Sequence, residues 1–191
     1  DLSLRELVVL QGETLAINLK RSRNDAVDRR ELWNGELENM TTDMNRLIKR
    51  IAKLNLDIAT IEGGGLVHSD ATGLRDQRYR DLEELATYTN INIQEQESGS
   101  IAVFVGGDYL VSDGDFREVY TAYNTEDGGA EIRIVETDSP LQATEGRITA
   151  TMHARDEIFS AFIDSVDEVA SALIRSVNEV HSQGQGRSGY S

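Results

Sequence analysis

The amino-acid sequence predicts an α+β fold that is mainly α: a long antiparallel helical bundle or coiled coil with a small antiparallel β-hairpin sheet inserted. Three observations predict it. Apolar residues recur every 3.5 positions between Trp33 and Ile61, they alternate with polar residues between Asn90 and Ile134, and they recur every seven positions from Met152 to Val180. The matching organisation is a bundle part over residues 1–89, a hairpin subdomain over 90–139, a long C-terminal helix over 140–184, and a loop tail over 185–191.

The first helix rests on Leu4, Leu7, Val8, Leu15 and Leu19, whose spacing is helical and is interrupted once at Gly12. The stretch from Arg21 to Glu31 has almost nothing to bury and reads either as a solvated part of a continuous helix or as a bend. The heptad segment follows, over about 31–62. Trp33, Leu37, Met40, Met44, Leu47, Ile51, Leu54, Ile58 and Ile61 are spaced alternately by four and three. A sustained period of 3.5 keeps one seam facing a partner while two helices wind left-handed. At 1.5 Å per residue such a rod is about 43 Å long, so it needs a helical partner.

Gly63, Gly64 and Gly65 stop that helix, because consecutive glycines cost backbone entropy and pack nothing. A short helix over about 73–89 then resumes at Leu74, Arg78, Leu82 and Leu85, with Asp70 or Thr72 as its cap. From Asn90 the period is two, at Ile91, Ile93, Ile101, Val103, Val105, Val119, Tyr123, Ile132 and Ile134. Ser98-Gly99, Gly106-Gly107, Asp113-Gly114 and Asp127-Gly128-Gly129 punctuate it as hairpin turns, which predicts an antiparallel sheet with one wet face ending before Pro140. Helical spacing returns at about Thr144. Met152, Phe159, Val166, Leu173 and Val180 form a stripe that Ile148, Phe162, Ile163, Val169, Ala170 and Val177 widen. A face that broad is buried against two neighbours, and the heptad helix is the expected partner.

Composition narrows the function. The chain has 191 residues, a formal net charge of −15 and no cysteine. That charge disfavours binding to nucleic acid or to anionic membrane surfaces. Without cysteine there is no disulfide, thiolate metal site or cysteine nucleophile. No apolar run approaches the roughly 20 residues that span a bilayer. The chain opens on Asp1 and looks helical at once, so it reads as an excised piece of a longer protein.

Few residues suggest chemistry. The stretch from Ala71 to Ala86 is dense in charge, but Asp76 with Arg80 and Arg80 with Glu84 are helical i,i+4 pairs worth only about 0.2 to 0.5 kcal/mol each. His68 with Asp70 lacks a second histidine at metal-ligand spacing, His153 and Asp156 flank an apolar stripe, and His181 stands near a helix C-terminus, where the helix dipole favours a cation. Asp113-Gly114-Asp115 lacks the continuation of a calcium loop, and no GK[ST] follows the triple glycine. The residues therefore predict no catalytic site, no metal and no cofactor.

Three stretches carry a resemblance to a known family. Ile51, Ala52, Leu54, Asn55 and Ile58 match I-A-x-L-N-x-x-I; Leu74, Asp76, Gln77, Arg78, Leu82, Glu84 and Leu85 match L-x-D-Q-R-x-x-x-L-x-E-L and lead into NINIQEQESGSIAVFVGG; Val177, Asn178, His181 and Gly184 match V-N-x-x-H-x-x-G. In this order, over roughly Leu4 to Gly184, the sequence resembles the flagellar hook-associated protein 1 family, the first junction protein between bacterial hook and filament. Arg75, Tyr79 and Asp81 depart from mostly aliphatic or acidic family positions, and GQGRSGYS departs from the usual Asp-Leu-Asn-Gly continuation. The resemblance implies a non-enzymatic protein of the extracellular flagellum, secreted by the flagellar export apparatus, in which this stretch is the inner helical domain and the tail over 185–191 leads to a further outer domain. It also implies self-association in an axial ring, contacts with the hook protein and the second junction protein, an export chaperone, and no nucleic-acid or membrane partner. The rival readings are a secreted coiled-coil or adhesin-type module and, remotely, a hydrolase using His68, Asp70 or His153.

Overall fold

The computed structural model describes residues 2–63, 71–96, 98–124 and 129–183. The fold is mainly α with small antiparallel sheets. A 61-residue helix, α1 (Leu2–Glu62), is followed by α2 (Thr72–Tyr88), six strands, α3 (Gly146–His153), one π-helical stretch (Ala154–Phe159) and α4 (Ser160–Gln183). The chain forms two compact units. One is Leu32–Ala154; the other joins Asp1–Glu31 to Arg155–Ser191. These limits cut across the boundaries expected from periodicity at 89/90 and 139/140.

The charged stretch from Arg21 to Glu31 is uninterrupted helix, so the heptad helix begins at Leu2 and not near residue 31. Its side chains are mostly solvated, and Ala26 is the buried exception. Backbone hydrogen bonding needs no apolar face, provided no proline or glycine run intervenes.

The Leu32–Ala154 unit holds the main core. Leu37, Met44, Leu47, Ile48 and Ile51 of α1 pack with Leu82, Leu85 and Tyr88 of α2, Ile148 of α3, and Val103, Leu110, Val119 and Ile134 from the strands. Within this unit the heptad seam is covered by α2, by α3 at the start of the C-terminal helical stripe, and by the sheets.

Strands β1 (Asn92–Glu95), β2 (Ile101–Val105), β3 (Asp108–Ser112) and β4 (Asp115–Phe116) form one antiparallel sheet in sequence order. Strands β5 (Val119–Tyr123) and β6 (Ala130–Ile134) form a second. The single inserted sheet expected from the alternation is thus two. The first ladder runs out at β4, which pairs only through Val111↔Phe116 and Ser112↔Asp115. Turns fall at Gly99, Gly106 and Asp113, each with positive φ; residues 125–128 of the β5–β6 connection lie outside the described residues.

The last helical segment starts at Gly146 and not near residue 140, because residues 139–141 still pair with β6. The amide of Ile134 donates to Ser139 O and that of Leu141 to Ile132 O. Gly146 has φ +90, and a Cβ there would lie 2.7 Å from the Tyr88 carbonyl oxygen, so only glycine fits this close approach. In the other unit α4 contains no buried residue; Arg23 of α1 pairs with Asp167 of α4 at 2.8 Å.

The seam residues distribute as follows. Leu37, Met40, Met44, Leu47, Ile51, Leu54 and Ile58 are buried, and Trp33, Met152, Phe159, Val166 and Leu173 are partly buried. Ile61 and Val180, assigned to the seam from their spacing, are exposed, Val180 at 73%. A straight helix drifts about 20° per heptad from a strict 3.5 repeat, so positions at the far ends of a long repeat rotate out. The π-helical stretch adds a second phase shift between Met152, which packs against the main core, and Phe159.

Candidate functional site

The densest polar arrangement lies where α1, α2 and the first hairpin meet, and the motif residues Asn55 and Arg78 are at its centre. Heptad spacing turns Leu54 and Ile58 inward and carries Asn55 in beside them, so that Asn55 is fully buried. A buried amide needs partners for two donors and two acceptor positions. Asn55 finds all four: Nδ2 donates to Ile101 O and Asp113 O, both at 2.7 Å, while Oδ1 accepts from the Ile101 amide at 3.2 Å and from Arg78 Nη1 at 2.8 Å.

Arg78 is also fully buried and donates a second bond from Nη1 to Gly99 O at 3.0 Å. Its Nε and Nη2 have no hydrogen-bond partner among the described residues. Burial pushes its pKa down, and the neighbouring Arg75 guanidinium adds to that. A guanidinium held this way cross-links three segments of chain through main-chain and amide oxygens, without a carboxylate.

Arg75 and Asp81, two of the three departures around it, form charge pairs. Arg75 donates from Nε and Nη2 to both oxygens of Glu62 at 2.9 and 2.7 Å and from Nη1 to Glu95 at 3.1 Å, tying the end of α1 to α2 and β1. The Arg75 hydrogen bonds hold the Glu62 carboxyl below the usual carboxylate range. Asp81 is buried and receives Arg50 in a two-pronged pair, Nε to Oδ2 at 2.6 Å with Nη2 on Oδ1. One turn away Arg46 bonds Glu84 at 3.0 Å and Tyr88 Oη donates to Asp43 at 3.2 Å. Burial raises the Tyr88 phenol, and the Asp43 charge adds to it.

Of the other motif residues, Asp76 is exposed, Gln77 is partly buried, and Asn178 and His181 are exposed on α4. The structure brings Asn55 and Arg78 together, beside the motif residues Ile51, Ala52, Leu82 and Leu85 of the core, and leaves Asp76, Asn178 and His181 on the surface. The cap of α2 is Ala71, without a side-chain hydrogen bond, and Thr72 is the first helical residue; Asp70, His68, Gly64, Gly65 and Gly184 lie outside the described residues. His153 is exposed at the end of α3. Among the described residues no group of three or more His, Asp or Glu could hold a metal ion, and no helix is long and apolar enough to cross a membrane. Periodicity missed Asn45, Arg50, Glu62 and Gly146. For the asparagines a signal existed: a short amide beside an apolar seam must find a buried partner. The ion pairs join residues far apart in sequence and leave no local trace.

A network that spends its hydrogen bonds on main-chain carbonyls and amides holds segments of chain in place. The comparisons with known proteins agree in kind. The fold is similar to that of the flagellar hook junction protein FlgK from Burkholderia pseudomallei, with a TM-score of 0.68 and 22% identity, over 81% of this chain and 29% of that one. The chain thus spans under a third of that protein's length. No curated protein matches it. The model of the flagellar hook-associated protein FlgK helical domain matches residues 1–191, and this chain therefore belongs to that family.

Proposed function

We propose that this chain is the helical strut of a junction protein that joins hook to filament in the bacterial flagellum, a structural part and not an enzyme. The family match over all 191 residues carries the reading. The polar junction supports it, because Asn55 and Arg78 fix hairpins to a helix 61 residues long. A secreted protein of the cell exterior and of motility follows from the same reading.

The exposed apolar side chains support a protein built to associate. Leu4, Leu7, Val8 and Leu15 of α1 and Phe162 and Val177 of α4 face solvent, on helices whose unit buries little of its own. On this reading those faces meet other subunits in an axial ring, the hook protein, the second junction protein or, before assembly, an export chaperone. Coiled-coil packing of α1 and α4 belongs to that assembled state.

Deleting the gene tests the proposal. Cells lacking it should carry hooks without filaments and fail to swim, and the intact gene should restore both. Normal filaments in the deletion strain, seen by electron microscopy, would overturn the reading and return the chain to the class of secreted interaction modules.

A further inference from the structure

Two asparagines lie ten residues apart on α1, about 15 Å along the helix at its ordinary rise. Asn45 Nδ2 donates to Val119 O at 2.7 Å while the Val119 amide donates to Asn45 Oδ1 at 2.9 Å. Asn55 treats Ile101 in the same way, with bonds of 2.7 and 3.2 Å. Each amide thus engages both the N–H and the C=O of a single strand residue, as a neighbouring residue does in a hydrogen-bonded antiparallel pair. Carboxylates only accept and ammonium groups only donate, so a side-chain amide is suited to this task.

Both residues sit where a ladder ends. β2 and β3 pair from Ala102↔Ser112 onward, so Ile101 and Asp113 are the next opposed positions, and Asn55 bonds to both. Val119 is the first residue of β5, and Asn45 occupies its edge. A helix side chain therefore stands in for a missing strand at each place and closes an edge that would otherwise be open. Among the described residues no ladder joins the two sheets.

We propose that Asn45 and Asn55 are positioning residues that pin the two sheets to α1 independently, one amide for each sheet. The proposal rests on the strut reading for its purpose: the exposed Phe116 of the first sheet and Tyr120 and Tyr123 of the second are then carried at a spacing set by the helix.

Amide hydrogen exchange on the intact chain tests it, with no assembly assay involved, so its failure and that of the flagellar reading are distinguishable. Asn45→Ala should speed exchange in β5 and β6 by about tenfold or more and leave β1 to β3 within about twofold, as expected for separately opening parts. Asn55→Ala should do the reverse. Asn45→Asp distinguishes hydrogen bonding from packing. At neutral pH its carboxylate cannot donate to Val119 O, and exchange in β5 and β6 should be fast. Below about pH 3 the protonated acid both donates and accepts, and protection of β5 and β6 should return to that of the unsubstituted chain at the same pH. Loosening of both sheets together in Asn45→Ala, loosening of neither, or no acid recovery in Asn45→Asp would each overturn the proposal. If Asn55→Ala does not fold, the Asn45 variants still decide it.

Discussion

Arg78 is where a single residue matters most, because a fully buried guanidinium contributes through its two bonds from Nη1 while Nε and Nη2 find no partner among the described residues. Its removal has two distinguishable consequences. Arg78→Ala leaves a cavity and strips Asn55 Oδ1 of a donor, and should cost about 2 to 4 kcal/mol in urea unfolding. Arg78→Met fills much of the space with no charge to desolvate and should cost less than Arg78→Ala, since buried charged groups are often replaced by apolar ones at little penalty. Asp76, two residues earlier and exposed, should change stability by no more than about 0.5 kcal/mol when replaced by alanine. A larger loss for Asp76→Ala than for Arg78→Ala would show that the network around Asn55 does not hold the unit together. The motif DQR thus contains one residue of the interior and two nearer the surface, a distinction that adjacency in sequence conceals.

At the scale of elements, α1 contributes to the core by a face wider than its heptad seam, since Ile48 and Ala52 are buried between the expected positions. Leu54 lies on that face at 5% exposure, whereas Leu173 on α4 is only partly buried. Leu54→Asp should therefore unfold the Leu32–Ala154 unit by burying an unpaired carboxylate, while Leu173→Asp should lower the melting temperature much less. Circular dichroism melts of the two variants compare them directly; equal losses would mean that α4 is as firmly packed as α1. The junction of α2 with α3 depends on Gly146. Gly146→Ala should destabilise by more than the roughly 1 kcal/mol that a strained left-handed position alone costs, because the added methyl also meets the Tyr88 carbonyl.

For the whole molecule the relevant lever is pH. The hydrogen bonds from Arg75 depress the Glu62 carboxyl, and those from Tyr120 and Arg133 depress the Asp138 carboxyl. A carboxyl whose folded pKa lies below its unfolded value stabilises the fold fully above that unfolded value, near 4 for these groups, and loses the contribution as pH falls through the folded value. Melting temperature should therefore change little between about pH 5 and 8 and drop as the solution is taken to about pH 3. An unchanged melting temperature at pH 3 would show that these pairs do not contribute. Glu62→Gln should reduce the acid sensitivity.

Periodicity alone determined that this protein is mainly helical, that Leu37 to Ile58 of α1 point inward, and that the β segment between α2 and α3 is antiparallel, because these follow from the repeat of the chain itself: 3.6 residues per helical turn and two per strand pleat. Motif order pointed to the flagellar family for the same reason, since a motif is local. Only the tertiary structure decided what lies against the α1 seam, that the β segment is two sheets, and which asparagines, arginines and aspartates meet. Those outcomes depend on contacts between residues from about 20 to more than 100 positions apart, such as Arg50 with Asp81, Asn45 with Val119 and Glu36 with Arg147. Spacing within a segment says which face is apolar, and the shape of the competing surfaces determines which one covers it.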